Sequence, residues 1–195
     1  MRRVLLVALL ALALPAVTWA SSIGFTNLGG TLSGGAGGFT LTGSTLIQVG
    51  GIRGSNLGTL TFTTGAFTSG DAQTGGALAP GGTFTITGNG TNGVPNGVIF
   101  SGTFTSATWV KTDLANGAHS YTLTAALVDS SGRVGATSQL TVHTGKGLFF
   151  DKNIGLESGD TSLSTTSVPE PGTLGLLGTG LLGIGGLMRR KVRIG

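Results

Sequence analysis

Between Phe39 and His143 threonine alternates with large apolar residues in short runs, most cleanly in Thr59-Leu60-Thr61-Phe62-Thr63 and Thr83-Phe84-Thr85-Ile86-Thr87. A period of two puts successive side chains on opposite faces, so each run predicts a half-buried strand with β-branched threonine on its wet side. The same pattern predicts strands at Thr40 to Thr42, Leu46 to Val49, Val98 to Phe100, Thr103 to Val110, Tyr121 to Val128 and Gln139 to His143. Turn chemistry separates them: Gly43-Ser44, Asn89-Gly90, Asn92-Gly93, Asn96-Gly97, Asn116-Gly117 and Ser130-Ser131-Gly132. The glycine-rich stretch Ser21 to Gly38 reads as an irregular or edge segment. Ser158 to Ser167, rich in serine and threonine, reads as a linker. Thr-x-Thr units start at 40, 59, 83, 103 and 122. Their spacing is too uneven for a solenoid and suits an antiparallel meander. The pattern predicts an all-β fold, an antiparallel β-sandwich of roughly seven to nine strands, over residues 21–157.

The two ends follow a different grammar. Met1 to Ala20 has a basic start at Arg2-Arg3 and an apolar run Val4 to Val17. Thr18-Trp19-Ala20 then puts small residues at the −3 and −1 positions. This is the build of a secretory signal peptide, cleaved after Ala20. At the other end Val168-Pro169-Glu170-Pro171 precedes an apolar glycine-rich run, Gly172 to Met188, and then the basic cluster Arg189-Arg190-Lys191 with Arg193. Two prolines two apart remove backbone donors and fix φ, so the tripeptide stays extended. The uncharged run can enter a bilayer, and the cations stop transfer on the cytoplasmic side.

This order over residues 168–195 resembles the PEP-CTERM sorting signal of bacterial surface proteins. The resemblance implies that Pro169, Glu170 and Pro171 form a recognition tripeptide for exosortase, a membrane-embedded cysteine protease or transpeptidase. Leu174 to Met188 is then the transmembrane helix, with residues 189–193 as its basic end and Arg189, Arg190 and Lys191 as the stop. That run is shorter than the ~20 residues of an ordinary spanning helix and is interrupted by glycines, which suits a segment that is removed. An uncleaved terminal anchor is the alternative reading. The family implies transient anchoring in the inner membrane, then a cell-surface or extracellular protein of exopolysaccharide-producing, biofilm-forming bacteria.

Charge changes meaning once the ends are set aside. The whole chain carries +4, but from Ser21 to Ser167 five basic residues (Arg53, Lys111, Arg133, Lys146, Lys152) face six acidic ones (Asp71, Asp113, Asp129, Asp151, Glu157, Asp160). Basicity therefore belongs to the targeting ends and gives no footprint for nucleic acid. The chain has no cysteine, which excludes disulfides, a thiol nucleophile and thiolate metal sites.

Candidate chemistry is sparse. Gly88-x-Gly90-x-x-Gly93 and Gly178-x-Gly180-x-x-Gly183 match the dinucleotide pattern, but one lies in a turn between strands and the other in the apolar tail. With 38 glycines in the chain, chance matches are expected. Asp151-Lys-Asn153-Ile-Gly155-Leu-Glu157 with Asp160 resembles the opening of a calcium loop, with its turn glycine misplaced. His119 and His143 lack a partner histidine at ligand spacing. Asn89-Gly90-Thr91 matches an N-glycosylation acceptor. Asp113 and Asp129 flank strands and offer a carboxylate pair for glycoside hydrolysis, set against a plain role at strand ends. Trp109 and Tyr121 are either a glycan-stacking platform or core aromatics. The sequence thus points to a non-enzymatic exported protein without cofactor or metal; the resemblance implies exosortase and exopolysaccharide as partners, and a carbohydrate-binding β-sandwich module is the alternative.

Overall fold

The computed structural model describes residues 22–132 and 134–165. The predicted signal peptide with Ala20, the sorting tripeptide, the apolar run and the basic stop all lie outside the described residues. In chain order the strands are β1 (Ser22–Leu28), β2 (Thr31–Gly35), β3 (Gly38–Val49), β4 (Ile52–Arg53), β5 (Gly58–Thr64), β6 (Phe67–Asp71) and β7 (Gly75–Leu78). They continue with β8 (Gly81–Asn89), β9 (Asn96–Asp113), β10 (His119–Asp129), β11 (Val134–His143), β12 (Asn153–Gly155) and β13 (Ser158–Thr165). Helices are absent among the described residues.

The all-β, antiparallel meander predicted from threonine alternation is present, but the sandwich is not. Strands β1, β3, β5, β8, β9, β10, β11 and β13 neighbour one another in chain order, and β1 pairs with both β3 and β13. The sheet therefore closes into an eight-stranded, up-and-down antiparallel barrel, in which the wall strands have no free edge. Two segments are corrected by that closure. Ser158–Thr165, expected as a linker, is a wall strand with eight residues in register against β11. Ser22–Leu28, expected to be irregular or an edge, is the strand that seals the barrel. The predicted break at Gly43-Ser44 is a bulge within one long strand: Gly43 takes φ 70° and the pairing with β5 shifts between Leu41 and Ser44. Short strands decorate the wall. β2 pairs with β3 and carries β12, β4 pairs with β3, and the β6–β7 hairpin lies along β9.

Alternation explains the core. In β5 the buried positions are Gly58, Leu60, Phe62 and Thr64, and in β8 Phe84, Ile86 and Gly88. An eight-stranded barrel leaves an interior just wide enough for side chains to fill. One aromatic cluster joins Phe62, Phe84, Phe100 and Phe104, with ring centroids 5.7–6.2 Å apart. A second joins Phe39, Trp109, Tyr121 and Phe150. Near β1 the filling turns polar: buried Asn27 donates from Nδ2 to Ser44 Oγ at 2.7 Å. Gly159 opposite is bare because a Cβ there would stand 2.5 Å from Asn27 Oδ1.

The outer wall is the inverse. Thr59, Thr61 and Thr63 face Thr87, Thr85 and Thr83 across the β5–β8 ladder, and the Thr63 and Thr83 hydroxyls lie 3.0 Å apart. A membrane-spanning barrel turns an apolar band outward. On β5 and β8 the order is the inverse of that band, with hydroxyls outward and rings inward.

Candidate functional site

The barrel has two unlike ends. At one, β9 finishes at Asp113, β10 starts at His119 and the segment from Thr144 to Lys152 leaves β11 for β12. This segment drives Phe150 onto the Trp109–Tyr121 pair, whose rings stack 5.3 Å apart at 16°. Phe150 N donates to the Tyr121 hydroxyl at 3.3 Å. The β6–β7 turn closes over the same rings: Trp109 Nε1 donates to Ala72 O and Tyr121 Oη to Gln73 O, each at 2.9 Å. Asp71 holds that turn by accepting from the amides of Gln73 and Thr74 and from the Thr74 hydroxyl, and these bonds, Thr74's first, hold its carboxyl below the usual range.

Trp109 and Tyr121 are 1 % and 0 % exposed. The glycan-stacking platform expected of them is therefore corrected: neither ring has an open face, and both are the plug of the barrel. Among the described residues the exposed large aromatic is Phe149, at 49 %. It stacks on His119 at 4.5 Å, and Lys111 Nζ stands 5.1 Å from its ring centroid.

Around that ring the structure assembles a polar cluster. Asp113 Oδ1 lies 3.0 Å from Lys111 Nζ and 2.7 Å from His119 Nδ1. Its carboxyl is held below the usual range, by the hydrogen bond from Lys111 first and that from His119 second. A depressed folded-state pKa stabilises the fold fully above the unfolded value, and that contribution is lost as pH falls through the folded value. Asp113→Asn is therefore expected to lower the urea midpoint at neutral pH, with the gap from wild type closing as pH falls below the ordinary carboxylate range. Titrating both proteins with urea across pH checks it.

The cluster is not hydrolytic machinery of the kind the sequence offered. Asp113 and Asp129 belong to opposite ends of the barrel, opposite His119 and Gly102 at the two ends of β10. Ten steps of antiparallel strand separate the positions by ~34 Å, too far for paired carboxylates. Asp129 accepts from Ser131 Oγ at 2.6 Å and Val134 N at 3.1 Å, as a turn residue does. The nearby Thr144 hydroxyl is committed to the backbone of His119. His143 pairs with Glu157.

The calcium-loop resemblance dissolves into two strands, since Asn153–Gly155 is β12 and Asp160 lies in β13. Among the described residues no group of three or more His, Asp or Glu side chains is placed to hold a metal. Gly88 to Gly93 joins β8 to β9 with no helix to meet a phosphate.

A second feature lies on the wall. A cleft of about 420 Å³ runs over β3, β1, β13, β11 and β10, with hydroxyl and amide side chains along it. It was unreadable from the sequence, because its residues come from five separate strands.

The structure defines a class: an all-β domain built as a closed antiparallel barrel, whose last wall strand precedes the C-terminal tail in the sequence. In the tail, residues 167–191 match the family model of the PEP-CTERM protein-sorting motif. The chain thus carries the sorting motif of exported, membrane-transiting proteins handled by exosortase, as its Pro169-Glu170-Pro171, apolar run and basic end imply. No curated protein and no solved structure matches it.

Proposed function

We propose that the chain is a non-enzymatic extracellular protein that exosortase releases or retains at the cell surface, where it serves in an exopolysaccharide-rich matrix. The observation that carries the reading is the sorting motif at 167–191. A closed barrel with a polar wall supports it, because such a domain can live in water without disulfides. The low count of charged groups speaks for a structural rather than a catalytic role.

The test is the intact mass of the protein recovered from the cell surface and medium. Loss of residues 1–20 and of the tail beyond the Pro169-Glu170-Pro171 region is expected. An unprocessed mass would leave a plain anchored protein instead. Neutralising Arg189, Arg190 and Lys191 together is expected to weaken retention, so that untrimmed chain reaches the medium. An immunoblot of membrane and medium fractions reads this out, and wild-type partitioning of the triple variant would remove the stop-transfer role.

A further inference from the structure

We propose that the wall cleft is a binding site for a neutral, hydroxyl-rich oligosaccharide chain, laid across the strands rather than along them. The inference rests on the extracellular reading above and adds to it a ligand class and a site.

Strand register draws the site. Gln48 on β3 faces Thr26 on β1, Thr26 faces Asp160 on β13, Asp160 faces Gln139 on β11, and Gln139 faces Thr124 on β10. All five line the cleft. The row places one hydrogen-bonding side chain on each of five adjacent strands. Strands are ~4.8 Å apart, close to the advance of one sugar unit in an extended chain, so successive sugars meet successive polar groups. Beside this row runs a lower one: Gly24 faces Ser162, and Ser162 faces Thr137. Small residues there make the depression. At Gly24 an added Cβ would meet nothing within 4 Å, so the wall is open above it.

The chemistry of the lining selects the ligand. Glutamine amides offer a donor and an acceptor side by side and suit vicinal hydroxyls. Threonine and serine hydroxyls donate or accept. Asp160 accepts only, and Thr26 Oγ1 fixes it by donating to Oδ1 at 2.8 Å. Among the described residues no lysine or arginine lines the cleft, so a polyanion would meet the Asp160 carboxylate with no compensating charge from them. The volume falls within the ~300–1,000 Å³ of small-ligand sites. Among the described residues the lining has no ring but that of buried Phe25, so affinity comes from hydrogen bonds rather than stacking.

The test uses protein purified from its host and isothermal calorimetry with hexasaccharides of glucose, mannose and galactose, and with hexagalacturonate as the polyanion. Saturable binding of at least one neutral hexasaccharide is expected, tighter than hexagalacturonate. Gly24→Leu, which fills the depression at an unstrained open position, is expected to weaken binding at least tenfold with an unchanged circular dichroism spectrum. Gln139→Ala, which truncates without filling, should do the same, and Phe149→Ala at the barrel mouth should leave affinity intact. Failure of every neutral probe, preference for the polyanion, full affinity in both wall variants, or loss in Phe149→Ala would each overturn the proposal. Intact mass measured on the same samples separates the two readings. A trimmed protein that binds no glycan overturns this site alone, whereas an untrimmed one overturns the sorting reading beneath it.

Discussion

Glu170→Ala is expected to leave export and membrane insertion intact while abolishing trimming, so that the full-length form accumulates in the inner membrane. Glu170 is the only ionisable residue between Asp160 and Arg189. It stands between two prolines whose rings fix φ and keep the segment out of helix and sheet. A protease is thereby offered one carboxylate in a preset extended frame, and little ordering entropy is lost on binding. On the proposed reading the apolar run would keep that frame near the membrane surface, within reach of an embedded enzyme. That reading assigns recognition and anchoring to different residues, so the two can be separated experimentally. An immunoblot of membrane and medium fractions in a host carrying exosortase makes the comparison. A normally trimmed, released Glu170→Ala protein would reduce the tail to a simple anchor.

Inside the barrel the largest effect is expected at Phe84. It is 0 % exposed and touches three rings, Phe62, Phe100 and Phe104, at 5.9–6.2 Å. A closed barrel cannot collapse around a missing side chain as an open sheet can, so Phe84→Ala should cost about 3–5 kcal/mol, the range for a buried aromatic. Its neighbour Thr85 points to the wall, opposite Thr61. Thr85→Ala should stay within about 0.5 kcal/mol of wild type, as surface changes do. Urea unfolding of both variants reads the difference, and a reversed order would mean that inside and outside had been exchanged.

The strands that were legible in the sequence are those whose inward positions are apolar. β5 and β8 place leucine, isoleucine and phenylalanine inside and threonine outside, so a period of two is visible in the letters. β13 is equally regular in space, yet its buried positions are Gly159, Thr161 and Leu163. With one large apolar residue in eight, the hydrophobic pattern falls silent and composition suggests a linker. β1 is hidden for a related reason: Asn27 faces inward beside Phe25 and interrupts the alternation. Losing both seam strands turns a barrel into a sandwich on paper, since the two folds share the same alternation and differ only in whether first and last strands meet.

At the mouth, part of the site was within reach. Asn116-Gly117 marks the turn between β9 and β10, which brings their ends together, but a count centred on that pair falls one residue out: it sets Asp113 against Ser120, whereas the register centres on Asn116 and sets Asp113 against His119. Phe149 was not within reach. Whether Phe149 or Phe150 faces solvent depends on how the Thr144–Lys152 segment seats on Trp109 and Tyr121. The tail was the most legible part of all, because its job is read from linear order rather than from a fold.

The seam also sets a schedule. Thr26 and Asp160, which bond across it, are 134 positions apart. A chain threaded through a secretion channel from its N-terminus emerges with β1 early and β13 last. Until then β1 can ladder with β3, but its other side lacks the partner that completes the cylinder. Long-range pairing of this kind is slow to form and leaves strand edges exposed meanwhile. The recognition tripeptide follows β13 by only a few residues, so the last stave arrives together with the sorting signal. In an exported chain, completion of the cylinder would therefore fall at the same moment as delivery of the tail that carries the sorting motif. A prematurely ended chain would lack both the stave and the signal.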